Sequence, residues 1–204
     1  RFRDHDPAPW HPESPHRLEA IDAALDADGG VAHAEVPLRA ANEAELGALH
    51  TPEHLARIEA ARGRAVSLDP DTSTSPDSVD VARLAAGATL DLVRAVAEGA
   101  GRTGLALVRP PGHHAVPERS MGFCLYSNLA VAVRNLLDAK VVERVAIYDW
   151  DVHHGNGTQA AFYDDPRVLF MSTHQWPFYP GTGRASESGA GAAEGTTVNV
   201  PLPA

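Results

Sequence analysis

Apolar residues recur along this chain with two periods, one helical and one extended. Leu18, Ile21 and Leu25 share one face of a helix expected from Leu18 to Ala27, with Gly29 and Gly30 as its stop. Glu43 to Leu49 reads as a short helix capped by Asn42. Thr51-Pro52-Glu53-His54 opens another, Pro52 to Ala61, because proline is pre-set for the first helical position. The strongest pattern is a helix from Val79 to Glu98, whose buried stripe is Val81, Leu84, Ala85, Ala88, Leu92 and Val96. Tyr126 to Leu137 is a second strong helix. Three short apolar runs, Leu105 to Val108, Val145 to Tyr148 and Val168 to Ser172, read as buried strands. Ser67 to Ser78, with Asp69, Pro70, Asp71 and Pro76, reads as a loop.

Strands alternating with long helices imply an α/β fold built on a parallel sheet with helices on both faces. All three expected strands are followed at once by polar chemistry: Gly112-His113-His114, then Asp149 to Asn156, then Thr173-His174. Active sites of open α/β sheets form at the carboxyl ends of their strands. No internal repeat, low-complexity segment or linker interrupts the pattern.

Composition narrows the reading. A chain of 204 residues suits one domain, and 44% hydrophobic with 22% charged residues allows a sizeable core. The net charge of −10 disfavours a nucleic-acid binder, which would carry a basic face. Acidity can attract cationic substrates, although most acidic proteins use it for solubility. A single cysteine, Cys124, excludes an internal disulfide and points to a reducing, cytoplasmic setting. In its apolar surroundings, Met121-Gly122-Phe123-Cys124-Leu125-Tyr126, it reads as a small buried hydrophobe rather than a nucleophile. No apolar stretch approaches about 18 residues, so no membrane span is expected. The chain begins with Arg1 rather than Met, as a trimmed or fragmentary sequence would.

The chemistry concentrates in two loops. Asp151-Val152-His153 is an Asp-x-His pair. In an extended segment residues two apart point the same way, so a carboxylate oxygen and an imidazole nitrogen could meet one metal at about 2 Å each. Asp149 is either a third ligand or a carboxylate that orients a histidine ring. Asn156 could orient a neutral histidine, or Asn156-Gly157 could be a plain tight turn. His113 and His114 are the proton-transfer candidates, since two adjacent imidazoles need two partners. Gly122-Phe123 and Phe178-Tyr179-Pro180-Gly181 place aromatics in loops near these groups, where a facing pair would line a slot for a slender alkyl chain.

These stretches resemble the zinc-dependent histone deacetylase family, which includes the acetylpolyamine amidohydrolases and acetoin-utilisation proteins. The similarity is carried by LVRPPGHHA (107–115), MGFCLYSN (121–128), YDWDVHHGNGTQAAFY (148–163) and MSTHQWPFYPGTG (171–183). Weaker matches are HPESPHR near the start, LHTPEH (49–54) and DTSTSPDS (71–78). Asn156 resembles the class II-like branch, which includes many bacterial enzymes. The resemblance implies zinc held by Asp151 and His153, and His114 as general base and acid with His113 as its electrostatic partner. It implies Asp149 and Asn156 as their respective holders, and a tunnel walled by Phe123 and Tyr179. The Gly122 carbonyl would receive the substrate amide, and Asp71 would grip the substrate at the rim. Asp149, Ser172 and nearby carbonyls resemble the family's structural potassium site.

The family's third zinc ligand, an aspartate, and its oxyanion-stabilising tyrosine have no match in residues 1–204. The chain is therefore expected to be an incomplete catalytic domain lacking its C-terminal part, and inactive alone. The expected activity of the whole protein is removal of acetyl or other acyl groups from lysine side chains or polyamines. The rival reading is a module that captures acylated amines without turnover. A metal-storage or sensing protein would need a closed coordination shell, which the open glycine-rich loops disfavour.

Overall fold

The protein is described by a computed structural model covering residues 1–7, 11–27 and 33–203. Among these described residues, six α-helices and three strands follow in this order, with one short 3-10 turn, Gly191–Ala193, before the last strand: α1 (His16–Ala27), α2 (Glu43–Gly47), α3 (Pro52–Glu59), α4 (Ser78–Ala97), α5 (Asn128–Asp138), β1 (Val145–Asp149), α6 (Asn156–Phe162), β2 (Val168–Gln175) and β3 (Thr197–Leu202). The stop expected for α1 at Gly29-Gly30 lies outside the described residues. On α1 only Leu18 is buried, while Ile21 is exposed. Helix α2 begins with the capping box that its sequence suggests: Asn42 accepts from the Glu45 amide, and the Glu45 carboxylate returns the bond to Asn42. Thr51 caps α3 through the His54 amide. In α4 the buried surface is wider than the expected stripe, taking in Val79, Ala82, Ala86 and Leu90 as well as Val81, Ala85 and Ala88. Gly87 is obligatory there, because a Cβ would stand 2.2 Å from the Arg39 carbonyl of the segment crossing the helix.

The sheet is parallel, in the order β1-β2-β3, with Val145 opposite Val168 and Phe170 opposite Thr197. Its inner face, formed by Ile147, Val168 and Phe170, packs on Ala130, Val133 and Leu137 of α5 and on Ala161 and Phe162 of α6. The outer face presents Tyr148, Leu169, Val198, Val200 and Leu202, all exposed. The α/β class and the parallel sheet match expectation. Among the described residues helices cover only the inner face.

Three elements depart from the sequence reading. Residues Leu105 to Val108 form no strand: no described main chain pairs with them, and Leu105 is 71% exposed. The segment instead rests on α4, where a Cβ on Gly104 would stand 2.7 Å from Leu92. An apolar run becomes a strand only when a neighbour completes its ladder. Conversely, β3 and α6 were not expected. Pro201 weakens the strand pattern of Thr197 to Leu202, but β3 is an edge strand, where a missing amide can be tolerated. Asn156-Gly157 looks like a turn locally, yet it starts a helix.

Candidate active site

The two histidines of the 112–115 loop each have one partner. His113 Nδ1 lies 2.9 Å from Asp149 Oδ2, and His114 Nδ1 lies 2.8 Å from Asn156 Oδ1. An amide oxygen only accepts, so His114 Nδ1 carries the proton and Nε2 keeps a free lone pair. The Asn156 amide nitrogen donates to the His114 carbonyl at 3.4 Å, consistent with that orientation. The loop itself is tied to α6, since Gly157 and Thr158 both donate their amides to the His113 carbonyl. Gly157 leaves room for this, as a Cβ would stand 2.3 Å from the Ala115 carbonyl.

Burial lowers His114 to about 4, helped by the adjacent His113, so the ring is neutral near pH 7. Burial acts in the opposite sense on Asp149 and would raise it. The hydrogen bond and charge of His113 outweigh that effect and hold the carboxyl below its ordinary range. Asp149 Oδ1 also accepts from the Asp151 amide at 3.1 Å. Gly155 is required beside it, because a Cβ there would come within 2.1 Å of Asp149 Oδ2.

Asp151 and His153 point the same way. Asp151 Oδ1 and His153 Nδ1 are 3.2 Å apart, and the same oxygen accepts the His153 amide. Two donors at about 2 Å on a tetrahedral ion are separated by roughly 3.3 Å, so this pair fits half of a zinc shell. Among the described residues no group of three or more His, Cys, Asp or Glu side chains converges for a metal, and the Asp149 carboxylate meets the His113 ring. Asp149 and Ser172 are register partners across β1 and β2. The Ser172 hydroxyl pairs with His174 Nδ1 at 2.9 Å, and the Asp149 carboxylate meets the His113 ring.

Aromatic rings close the site. Tyr179 stands edge-on to His114, with ring centroids 5.0 Å apart, and Phe178 stacks on His153 at 5.1 Å. Phe123 meets His11 edge-on at 4.6 Å. Gly122 is pressed against the histidine dyad: a Cβ would lie 2.3 Å from His114 Cδ2. The Gly122 carbonyl accepts a weak bond from Cys124 Sγ at 3.3 Å. Cys124 is fully buried, and burial pushes its thiol well above the ordinary value, as befits a packing residue. Asp71 does not stand free at the rim. Its Oδ1 accepts the Gly122 amide at 3.0 Å and the Thr72 hydroxyl at 2.8 Å.

Sequence reasoning missed two supports. Arg109, immediately before Pro110-Pro111-Gly112, is 3% exposed and makes a two-pronged ion pair with buried Glu13 while donating to the Phe2 carbonyl. The HPE of HPESPHR was the signal. Next to His153 in sequence, His154 is held by Thr182 and Gln159, and Gln159 by Glu187 and Asn199. That network needs contacts between segments remote in sequence, so no local pattern marks it.

With this geometry in hand, comparison with known proteins defines the class. The histone deacetylase domain model matches residues 11–204. A probable deacetylase of Archaeoglobus fulgidus is 42% identical over 206 residues, covering 99% of this chain and 57% of its own length. Histone deacetylase HDA1 of Candida albicans is 39% identical, over 94% of this chain and 26% of its own length. A crystal structure of the HDA15 HD domain superposes with a TM-score of 0.93 at 40% identity, covering 98% of this chain and 59% of that one. The chain belongs to the histone deacetylase family. It spans less than three-fifths of the length of each of these relatives.

Proposed function

We propose that the protein containing this chain is a zinc-dependent amidohydrolase that removes acetyl or related acyl groups from an acylated primary amine, a lysine side chain or a polyamine. The observation that carries this reading is the juxtaposition of two elements: the Asp151–His153 donor pair, spaced for one tetrahedral ion, and a neutral His114 whose Nε2 is free and whose Nδ1 is fixed on Asn156. Zinc would be held by Asp151 Oδ and His153 Nδ1, and when bound it polarises a carbonyl and lowers the pKa of water toward about 7. His114 Nε2 takes the proton of the attacking water and returns it to the departing amine nitrogen, yielding a carboxylic acid and a free amine. His113, tied to Asp149, sits with its ring centroid 3.9 Å from that of His114 and tunes the proton affinity of the reacting ring. Phe123, Tyr179 and the Gly122 carbonyl line the approach. The acidic balance of the chain suits a cationic substrate.

A catalytic zinc usually has three protein ligands, and the described residues offer two. That count favours a second reading for the 204-residue chain taken alone: weak zinc binding, and capture of an acylated amine without turnover. Zinc analysis and an acetyl-lysine reporter assay, run on residues 1–204 and on the natural gene product containing them, separate the two. In the gene product Asp151→Ala should lower zinc content, whereas His114→Ala should leave zinc in place and reduce kcat by on the order of 10²- to 10⁴-fold. Equal loss of zinc in both variants would make His114 a ligand and end the general-base assignment.

A further inference from the structure

The motif Leu49-His50-Thr51-Pro52-Glu53-His54 takes no part in the chemistry above, yet it buries two imidazoles. His50 and His54 are 2% and 1% exposed. They lie four residues apart around the start of α3, with ring centroids 4.7 Å apart and the Tyr126 ring against both.

Both rings direct their hydrogen bonds to one loop. The Ser127 amide can only donate and lies 3.0 Å from His50 Nε2, so that nitrogen accepts and Nδ1 carries the proton, facing the Pro117 carbonyl at 3.3 Å. The Leu125 carbonyl can only accept and lies 3.0 Å from His54 Nε2, so here Nε2 carries the proton. Burial lowers His50 to about 3 and lowers His54 as well, so both rings are neutral near pH 7 and keep these roles.

Between these anchors lies one wall of the site. The loop turns tightly from Met121 to Cys124, and Gly122 and Phe123 have φ of +57° and +68°. Phenylalanine holds that conformation only where its surroundings enforce it. Asp71 and Thr72 accept the Gly122 and Phe123 amides, each at 3.0 Å, while the motif at α3 holds Pro117, Leu125 and Ser127. Gly122 packs so closely on His114 that a Cβ would lie 2.3 Å from its ring. A shift of this turn therefore reaches His114 directly.

We propose that His50 and His54 are positioning residues: they hold both ends of the 117–127 loop on α3 and so fix the Gly122-Phe123 turn against His114. Their effect on turnover rests on the function proposed above; the grip on the loop does not. The bonds differ in redundancy. The Pro117 carbonyl also takes the Thr51 amide at 3.0 Å, whereas among the described residues the Ser127 amide donates to His50 alone.

Glutamine sets its side-chain amide near the place of Nε2, and asparagine near that of Nδ1, so the variants separate these bonds. Hydrogen exchange read by mass spectrometry on the 204-residue chain should be roughly tenfold faster in the peptide 121–127 for His54→Leu and for His50→Asn, the change expected when one buried hydrogen bond is lost. It should stay near wild type for His54→Gln and His50→Gln. Peptides from α4 and β2 should exchange as in the wild type in all four. Unchanged exchange in 121–127 for either His54→Leu or His50→Asn overturns the grip assigned to that ring. Equal acceleration in α4 and β2 overturns the local role altogether, because the rings would then be general core residues. In the natural gene product His54→Leu should lower kcat/KM for an acetyl-lysine reporter by on the order of tenfold at unchanged zinc content, and His54→Gln should recover most of it. Faster exchange with wild-type kcat/KM overturns the positioning role. A wild-type gene product that does not turn over the reporter, with the exchange pattern as expected, removes the proposed function and leaves the grip standing.

Discussion

At the residue scale the site is built by exclusion of bulk as much as by supply of polar groups. Gly122, Gly155 and Gly157 each occupy a place where one carbon more would strike His114, Asp149 or the main chain of the histidine loop. Gly122→Ala tests this directly. Its Cβ would meet the His114 ring at 2.3 Å in a backbone conformation with φ of +57°. Stability should fall by about 1–3 kcal/mol, the cost of strained backbone, and His114 should be displaced from Asn156. Turnover of the acetyl-lysine reporter by the gene product should drop by more than thermal destabilisation explains, read as kcat at a temperature where the variant is still folded. Wild-type kcat in that variant would show that the close packing of Gly122 on His114 is dispensable. The histidine dyad was legible from sequence because adjacent imidazoles in a Pro-Gly loop demand partners, and Asp149 and Asn156 are those partners. Asp71 was read as a rim residue because nothing in DTSTSPDS reveals that its carboxylate faces the Gly122 turn.

At the scale of elements, the histidine loop is held by an ion pair between distant segments. Arg109 ends the irregular stretch that leads to His113, and Glu13 belongs to the loop preceding α1. The two are buried together, with His5 Nε2 3.6 Å from Glu13 Oε2 and His5 Nδ1 2.7 Å from the Ser78 hydroxyl at the start of α4. Glu13→Gln would strand a buried guanidinium, and loss of one partner of a buried pair typically costs about 3–5 kcal/mol. Replacing both, as Glu13→Leu with Arg109→Met, should recover a large part of that loss, because an apolar pair needs no desolvation offset. Chemical denaturation of the single and double variants checks the order. A double variant no more stable than Glu13→Gln would mean that the Phe2 and His5 contacts, not the ion pair, hold the N-terminal segment down.

For the whole molecule, buried neutral histidines make acid stability the sensitive property. Burial is the largest cause lowering His5 and His50 to about 3, and it also lowers His54. In the unfolded chain these rings titrate near 6.5, so below that pH the unfolded state binds protons the folded state refuses. Their contribution is intact above pH 6.5 and is lost as pH falls from there toward about 3. Each ring removes about 1.4 kcal/mol per pH unit within that window, so His5 and His50 together remove roughly 3 kcal/mol between pH 7.5 and 5.5, and His54 acts in the same direction. For a chain of this size that corresponds to a fall in Tm on the order of 10 °C. Melting curves of the 204-residue chain across that range test it, and a flat Tm would place these histidines in contact with water.

Local sequence determined the elements whose signals are local. The Asn42 box, the Pro52 start, the long apolar face of α4, the two apolar strands leading to Asp149 and Ser172, and the spacing of Asp151 and His153 all follow from rules acting within a few residues. The class of chemistry followed as well, because so many ligating and proton-moving groups follow directly on strand ends. Tertiary structure alone decided whether an apolar run would find a ladder partner, which Thr197 to Leu202 did and Leu105 to Val108 did not. It also decided which charged groups would find partners, Arg109 with buried Glu13 and Asp71 with the Gly122 amide. The physical reason is the same in each case: hydrogen bonding and charge pairing are satisfied by whatever the fold brings within about 3 Å, and the sequence order of those partners carries no record of it.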